Sequence, residues 1–308
     1  MQRQLTRKKI KLKSIKMAYY DEGAGTPIIL LHGFPDSADV WRNVAPILIK
    51  DGYRIIAPDL RGFGESEAPI ACGSYKIKYL MQDIIELKNS LALDGPIKLV
   101  GHDWGSLLGW CLITFYPEHF SSFVPLCVGH PRAYLNDGGF EQQQKGWYTM
   151  AFQTAGFAEK MFSQNDWAVL RLFSENNPEV DSNWIPDLSR PGRFTAALNL
   201  YRANLKPQKI KVAFPPTQVP VFGIFGKDDL YLSEAQMAAS GKYVGGNFSW
   251  ETIKGGHWLP LEKPELVAEL ITNFYALPLP AIKHNLKTSE AKTWEKVLHV
   301  AKKITKQK

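Results

Sequence analysis

Cysteine, long apolar runs and acid at the chain ends are all scarce in this sequence. Among 308 residues there are three cysteines, Cys72, Cys111 and Cys127, an odd number, far apart and without metal-ligand spacing. That argues against a disulfide framework and a cysteine-ligated metal, and the three are read as free thiols in packing roles in a reducing compartment. No stretch reaches the roughly 18 consecutive apolar residues a spanning helix needs. Residues 1–16 alternate Lys and Arg with isolated apolar residues where a secretory leader has an apolar core. The expectation is a soluble, unexported, cytoplasmic protein. Residues 1–16 carry seven basic side chains and no acid, and residues 281–308 carry eight lysines against Glu290 and Glu295. The ends therefore hold +13 and the body −6 of a net +7. An acidic body with basic ends is not a nucleic-acid surface, so no nucleic-acid partner is expected. The ends are read as solvated faces or tails, with contact to an anionic membrane surface as the alternative.

What is present is ordinary for a folded domain: 45% hydrophobic and 22% charged residues, in a length that can bury a large core. Short, almost wholly apolar runs recur at Pro27–Leu31, Tyr53–Ala57, Ile97–Val100, Phe123–Val128 and Val219–Phe225, with a last strand at Phe248–Ile253. Such runs suit strands buried on both faces. Helical patterns fall between them at Val40–Lys50, Lys78–Leu93 and Ser106–Tyr116, the last closed by Pro117. The alternation predicts an α/β fold with a mostly parallel sheet flanked by helices. It stops after Pro131. Residues 132–213 are rich in aromatics, Gln and Asn, with helices at Gln142–Phe152 and Phe194–Leu205. The expected organisation is a first core part over 1–131, a helical lid over 132–213, a second core part over 214–280 and a basic amphipathic helix or tail over 281–308.

The chemistry is concentrated in three loops. At 101–105 an apolar strand runs into Gly-His-Asp-Trp-Gly and then a helix, the pattern of a nucleophile elbow with Asp103 where serine is usual. A carboxylate is already anionic and can attack saturated carbon to form an ester, which water must then cleave. That second step calls for a histidine base, an acid to orient it and an oxyanion hole. Gly255-Gly-His257-Trp258 follows the last strand and supplies the base. Gly226-Lys-Asp228-Asp229 ends the strand before it. The Gly-x-x-Asp spacing selects Asp229, and Asp228 is read as a loop or capping residue. His32-Gly-Phe34-Pro35 follows the first buried strand, so the backbone N–H groups of Phe34 and Trp104 are the expected oxyanion hole; His32 and His102 are read as supporting residues and Pro35 as a candidate for a cis bond.

Together with Asp59-Leu-Arg-Gly-Phe-Gly-Glu-Ser66, these motifs make residues 8–278 resemble the epoxide hydrolase branch of the α/β-hydrolase superfamily, with haloalkane dehalogenases as close cousins. The resemblance implies an α/β-hydrolase fold with a lid, Asp103 as nucleophile, Asp229 as acid, His257 as base, and no metal or organic cofactor. It also implies two lid tyrosines that protonate the epoxide oxygen. Gly146–Gln153 resembles the segment with the first, Tyr148, and Ala197–Asn204 the segment with the second, Tyr201. The implied substrates are an epoxide and water, and the lid aromatics, including Trp147, Phe152, Phe157, Phe162 and Trp167, point to a small apolar epoxide, although most of them fit a lid core equally well. Dehalogenases of this kind commonly have Asn after His-Gly, where this chain has Phe34, so dehalogenation is the runner-up; a non-catalytic binding protein on the same fold is the third reading.

Overall fold

The computed structural model describes residues 5–205 and 214–277. The basic helix expected at 281–308 lies outside the described residues, as do the first residues of the basic N-terminal segment and positions 206–213 of the expected lid. The chain begins with β1 (Arg7–Lys11) and β2 (Lys16–Glu22), paired antiparallel. Of the two readings of the basic N-terminal segment, solvated face or tail, β1 corresponds to the first: it is an edge strand with Lys8, Lys9 and Lys11 exposed, where lysines deter pairing with another sheet.

Next come β3 (Thr26–Leu31), α1 (Ala45–Lys50), β4 (Tyr53–Pro58), α2 (Ile77–Ser90), β5 (Ile97–His102), α3 (Trp104–Phe115) and β6 (Phe120–Leu126). Six helices follow: α4 (Pro131–Asn136), α5 (Gly139–Lys145), α6 (Tyr148–Ala151), α7 (Phe157–Phe173), α8 (Ile185–Leu188) and α9 (Arg193–Asn204). Then β7 (Val221–Gly226), α10 (Glu234–Ala238), β8 (Phe248–Ile253), α11 (Leu259–Glu262) and α12 (Pro264–Ala276) complete the described chain. Two helices expected as continuous are broken. Over 40–50 a short 3-10 turn at Ala38–Trp41 precedes α1, because Pro46 has no N–H to give and takes a first-turn position. Over 142–152 the break falls at Gly146, between α5 and α6.

The sheet has the order β1-β2-β4-β3-β5-β6-β7-β8, antiparallel through β1, β2 and β4 and parallel from β4 to β8. The chain moves outward from β3 to β4 and then crosses back to β5 on the other side of β3. The carboxyl ends of β3 and β5 therefore lie side by side at the point where strand order reverses, the usual place for a ligand in an open parallel sheet. Their register pairs Leu31 with Gly101, which brings the His32–Pro35 loop against Asp103. Both faces are filled by large side chains, among them the fully buried Trp41, Trp110, Phe120 and Phe123. Cys111 and Cys127 are buried as expected, but Cys72 is exposed, so it has no packing role. Among the described residues no helix is long and apolar enough to cross a membrane.

One buried ion pair braces the Asp59–Ser66 segment against α2. Arg61 Nε and Nη2 donate to Asp83 at 2.7 and 2.6 Å, and the guanidinium also reaches the Ser14 hydroxyl and the Ser74 carbonyl. Asp83→Ala leaves that guanidinium unpaired and out of water. A loss of about 3–5 kcal/mol is expected in denaturant unfolding; a loss under about 1 kcal/mol would show that water replaces the carboxylate.

Candidate active site

The turn from β5 into α3 holds Asp103 at φ 52° and ψ −120°, a conformation that costs a non-glycine residue roughly 1–3 kcal/mol and stands its side chain clear of the sheet. Close packing enforces the flanking glycines. A Cβ at 101 would lie 2.4 Å from the Gly105 carbonyl oxygen, and one at 105 only 2.1 Å from that of Leu31. Gly33 is needed for the same reason: its Cβ would sit 2.2 Å from Asp103 Oδ1.

That approach lets the Phe34 N–H donate to Asp103 Oδ1 at 2.7 Å, and the Trp104 N–H also hydrogen-bonds the carboxylate. The Phe34–Pro35 bond is cis. His32, fully buried, fixes the direction of the first donor. Its Nδ1–H donates to the Gly33 carbonyl at 2.9 Å while Nε2 accepts from the Leu60 N–H at 2.9 Å. On a trans peptide the carbonyl and the following N–H point opposite ways, so holding Gly33 C=O turns Phe34 N–H toward Asp103. Burial lowers the His32 pKa to about 4, which keeps it neutral as both bonds require.

Three of the residues singled out in the sequence meet here. His257 Nδ1 donates to Asp229 Oδ2 at 2.8 Å, and its Nε2 stands 3.5 Å from Asp103 Oδ2. Asp229 is buried in the loop after β7, with Oδ1 accepting from the N–H groups of Tyr231 and Leu232 at 2.8 and 3.0 Å. Asp228 is exposed and takes no part. Burial works against charge on both His257 and Asp103. It is outweighed at His257 by the carboxylates of Asp229 and Asp103, which hold the imidazole pKa well above its ordinary value, and at Asp103 mainly by His257, which holds that pKa below the usual carboxylate range. His102 Nε2–H and the Cys127 thiol both donate to the His257 carbonyl oxygen, at 2.8 and 3.2 Å. Cys127 thus does more than pack, and nothing in the sequence marks it out.

Asp103 and Trp104 open onto a cavity of about 380 Å³ that Tyr148 and Tyr201 also line. Both tyrosines are buried, 6.1 Å apart between ring centroids, and burial raises both hydroxyl pKa values well above the ordinary one. Tyr201 is fixed edge-on against Phe34 and Trp104. Phe152 and Phe162 are buried elsewhere and Trp147 and Phe157 are exposed, while Leu107, Cys111, Val128, Leu135, Phe214 and Leu232 face the cavity. A third tyrosine, Tyr134, lines it as well and went unnoticed in the sequence.

The family model for the alpha/beta hydrolase fold matches residues 26–264. Epoxide hydrolase 4 of Homo sapiens is 32% identical over 286 residues, covering 86% of this chain and 77% of that protein. The AB hydrolase superfamily protein YfhM of Bacillus subtilis is 31% identical, over 81% of this chain and 90% of that one. Among solved structures, an epoxide hydrolase of Vigna radiata superposes with a TM-score of 0.76 at 27% identity, over 88% and 98% of the two chains. The chain belongs to the epoxide hydrolase branch of the α/β-hydrolase family.

Among the buried carboxyls outside the set singled out in its sequence, this epoxide hydrolase relative has one beside the His32–Pro35 loop. Asp36, two residues after Phe34, accepts from the Trp184 indole N–H at 2.7 Å, and burial pushes its pKa up to about 8. The folded protein then holds a proton there that the unfolded chain, titrating near an ordinary ~3.9, releases. Between about pH 4 and 8 stability falls as pH rises, by up to ~1.4 kcal/mol per unit from this group. Asp36→Asn keeps the acceptor and loses the titration. Its unfolding free energy is expected to fall less between pH 5 and 7.5 than that of the wild type; parallel curves would mean that Asp36 is ionised throughout.

Proposed function

We propose that the protein hydrolyses epoxides to vicinal diols through a covalent ester on Asp103. What supports this reading is one juxtaposition: Asp103, Tyr148 and Tyr201 line the same apolar cavity, while His257 and Asp229 stand behind the carboxylate. Two of the relatives reported above, epoxide hydrolase 4 of Homo sapiens and the Vigna radiata structure, carry epoxide hydrolysis in their names.

The substrate is a small apolar epoxide, with water as the second reactant and no cofactor invoked. The helices from Pro131 to Asn204 act as the lid over the sheet, within an insertion spanning 132–213 between core parts 1–131 and 214–280. Tyr148 and Tyr201, kept protonated by burial, hydrogen-bond the epoxide oxygen. A carboxylate oxygen of Asp103 attacks one ring carbon, the carbon–oxygen bond opens, and a tyrosine gives its proton to the developing alkoxide. This acid is essential because an alkoxide is a poor leaving group; a halide needs only donors around it.

Once Asp103 is esterified it no longer carries charge. One of the two carboxylates that favour the imidazolium is lost, the His257 pKa falls, and the ring becomes free to act as base. His257 Nε2 takes a proton from water, whose oxygen adds to Cγ of Asp103. The resulting oxyanion rests on the N–H groups of Phe34 and Trp104. Collapse breaks the ester, the leaving diol oxygen takes the proton from His257, and the proton released as Asp103 ionises restores the tyrosine.

The test is a panel of aryl and aliphatic epoxides beside matched bromoalkanes, with diol and bromide read separately and intact-protein mass spectrometry run in parallel. Diol without bromide is expected. His257→Gln should accumulate an adduct on Asp103 with turnover lowered at least ~10²-fold, and Asp103→Ala should form neither adduct nor product. Bromide without diol would reassign the protein to dehalogenation, and turnover by Asp103→Ala would remove the nucleophile from the scheme.

A further inference from the structure

The loop that carries Asp229 is held from the helices inserted between β6 and β7 as well as from its own strand. Lys145, at the end of α5, donates through Nζ to the carbonyl of Asp229 itself at 2.7 Å and to that of Leu232 at 3.0 Å. Gln142, one turn earlier and buried, donates through Nε2 to the Tyr231 carbonyl at 3.0 Å and accepts the Ser233 N–H at 2.9 Å. The Tyr231 hydroxyl in turn donates to the Phe173 carbonyl at the end of α7. Four hydrogen bonds therefore join α5 to residues 229, 231, 232 and 233, the stretch whose N–H groups at 231 and 232 hold Asp229 Oδ1. Glu141 stands 2.9 Å from Lys145 and restrains its ammonium from the solvent side.

We infer that Gln142 and Lys145 are positioning residues for the ester-hydrolysis step, acting through the Asp229 loop on His257. The inference rests on the proposed reaction. Neither residue lines the cavity, so neither meets the substrate or the attacking oxygen of Asp103. Loosening the loop shifts Asp229 and with it the imidazole, which the second step uses as its base and the first step does not. A displacement of about 1 Å in such a group costs on the order of 10²-fold; a partial release should cost about tenfold.

The experiment is rapid quench of Lys145→Met and Gln142→Leu with an epoxide that the wild type turns over, following formation and decay of the Asp103 adduct by intact mass. Formation is expected within twofold of wild type, decay about tenfold slower, so kcat and KM fall together while kcat/KM holds. Lys145→Arg, which can still reach both carbonyls, should restore decay. Formation slowed as much as decay would signal general disruption and overturn the inference, as would unchanged decay in both variants. A folded wild type that forms diol without an adduct would instead overturn the ester reading, a separate outcome visible before any variant is made.

Discussion

Asp103 has to remain a carboxylate where water has been removed, and much of the surrounding architecture answers that requirement. Desolvating such a charge costs several kcal/mol even after relaxation. The N–H groups of Phe34 and Trp104 and the side chain of His257 offset it, hydrogen bonds to a charged group contributing about 1.5–3 kcal/mol each. Those donors converge only because β3 and β5 are neighbours whose chain directions part at this point of the sheet, and because glycines at 33, 101 and 105 let backbone approach where a Cβ would collide. Support then extends outward, from His32 to Leu60, and from the Asp59–Ser66 segment to Arg7 and Asp83.

The same cavity drives its ionisable groups apart. Low dielectric holds Tyr148 and Tyr201 in their protonated form, while paired charge keeps Asp103 ionised and His257 charged in the resting state. Protonated hydroxyls and an ionised carboxylate can therefore face one small, mostly apolar volume at one pH. The helices between β6 and β7 contribute both tyrosines and also hydrogen-bond the loop that carries Asp229, through Gln142 and Lys145.

Much of this was legible in the sequence, because buried parallel strands, an elbow and Gly-rich loops leave short local signatures. Asp103, His257 and Asp229 come together from three separate loops as their spacing implied, and the choice of Asp229 over Asp228 follows the burial of the first and exposure of the second. Long-range packing was not legible. The apolar side chains that do line the cavity, Leu107, Val128 and Phe214 among them, carry no local sign of it, since an apolar stripe does not show what covers it. Whether the segment holding Arg7 is a solvated face or a tail was left open, because an edge strand with three exposed lysines has almost no hydrophobic pattern. Cys127, Asp36, Gln142 and Lys145 owe their roles to partners 84 to 148 residues away, beyond the reach of any local motif.

The central claim is that water attacks the protein and not the epoxide. A single turnover in ¹⁸O-water, with enzyme in excess, reads this directly by mass spectrometry of the diol and of the peptide containing Asp103. The account predicts unlabelled diol from the first turnover and one ¹⁸O in the Asp103 carboxylate. Label in the first diol with none in Asp103 would mean direct attack by water on the epoxide and would contradict it.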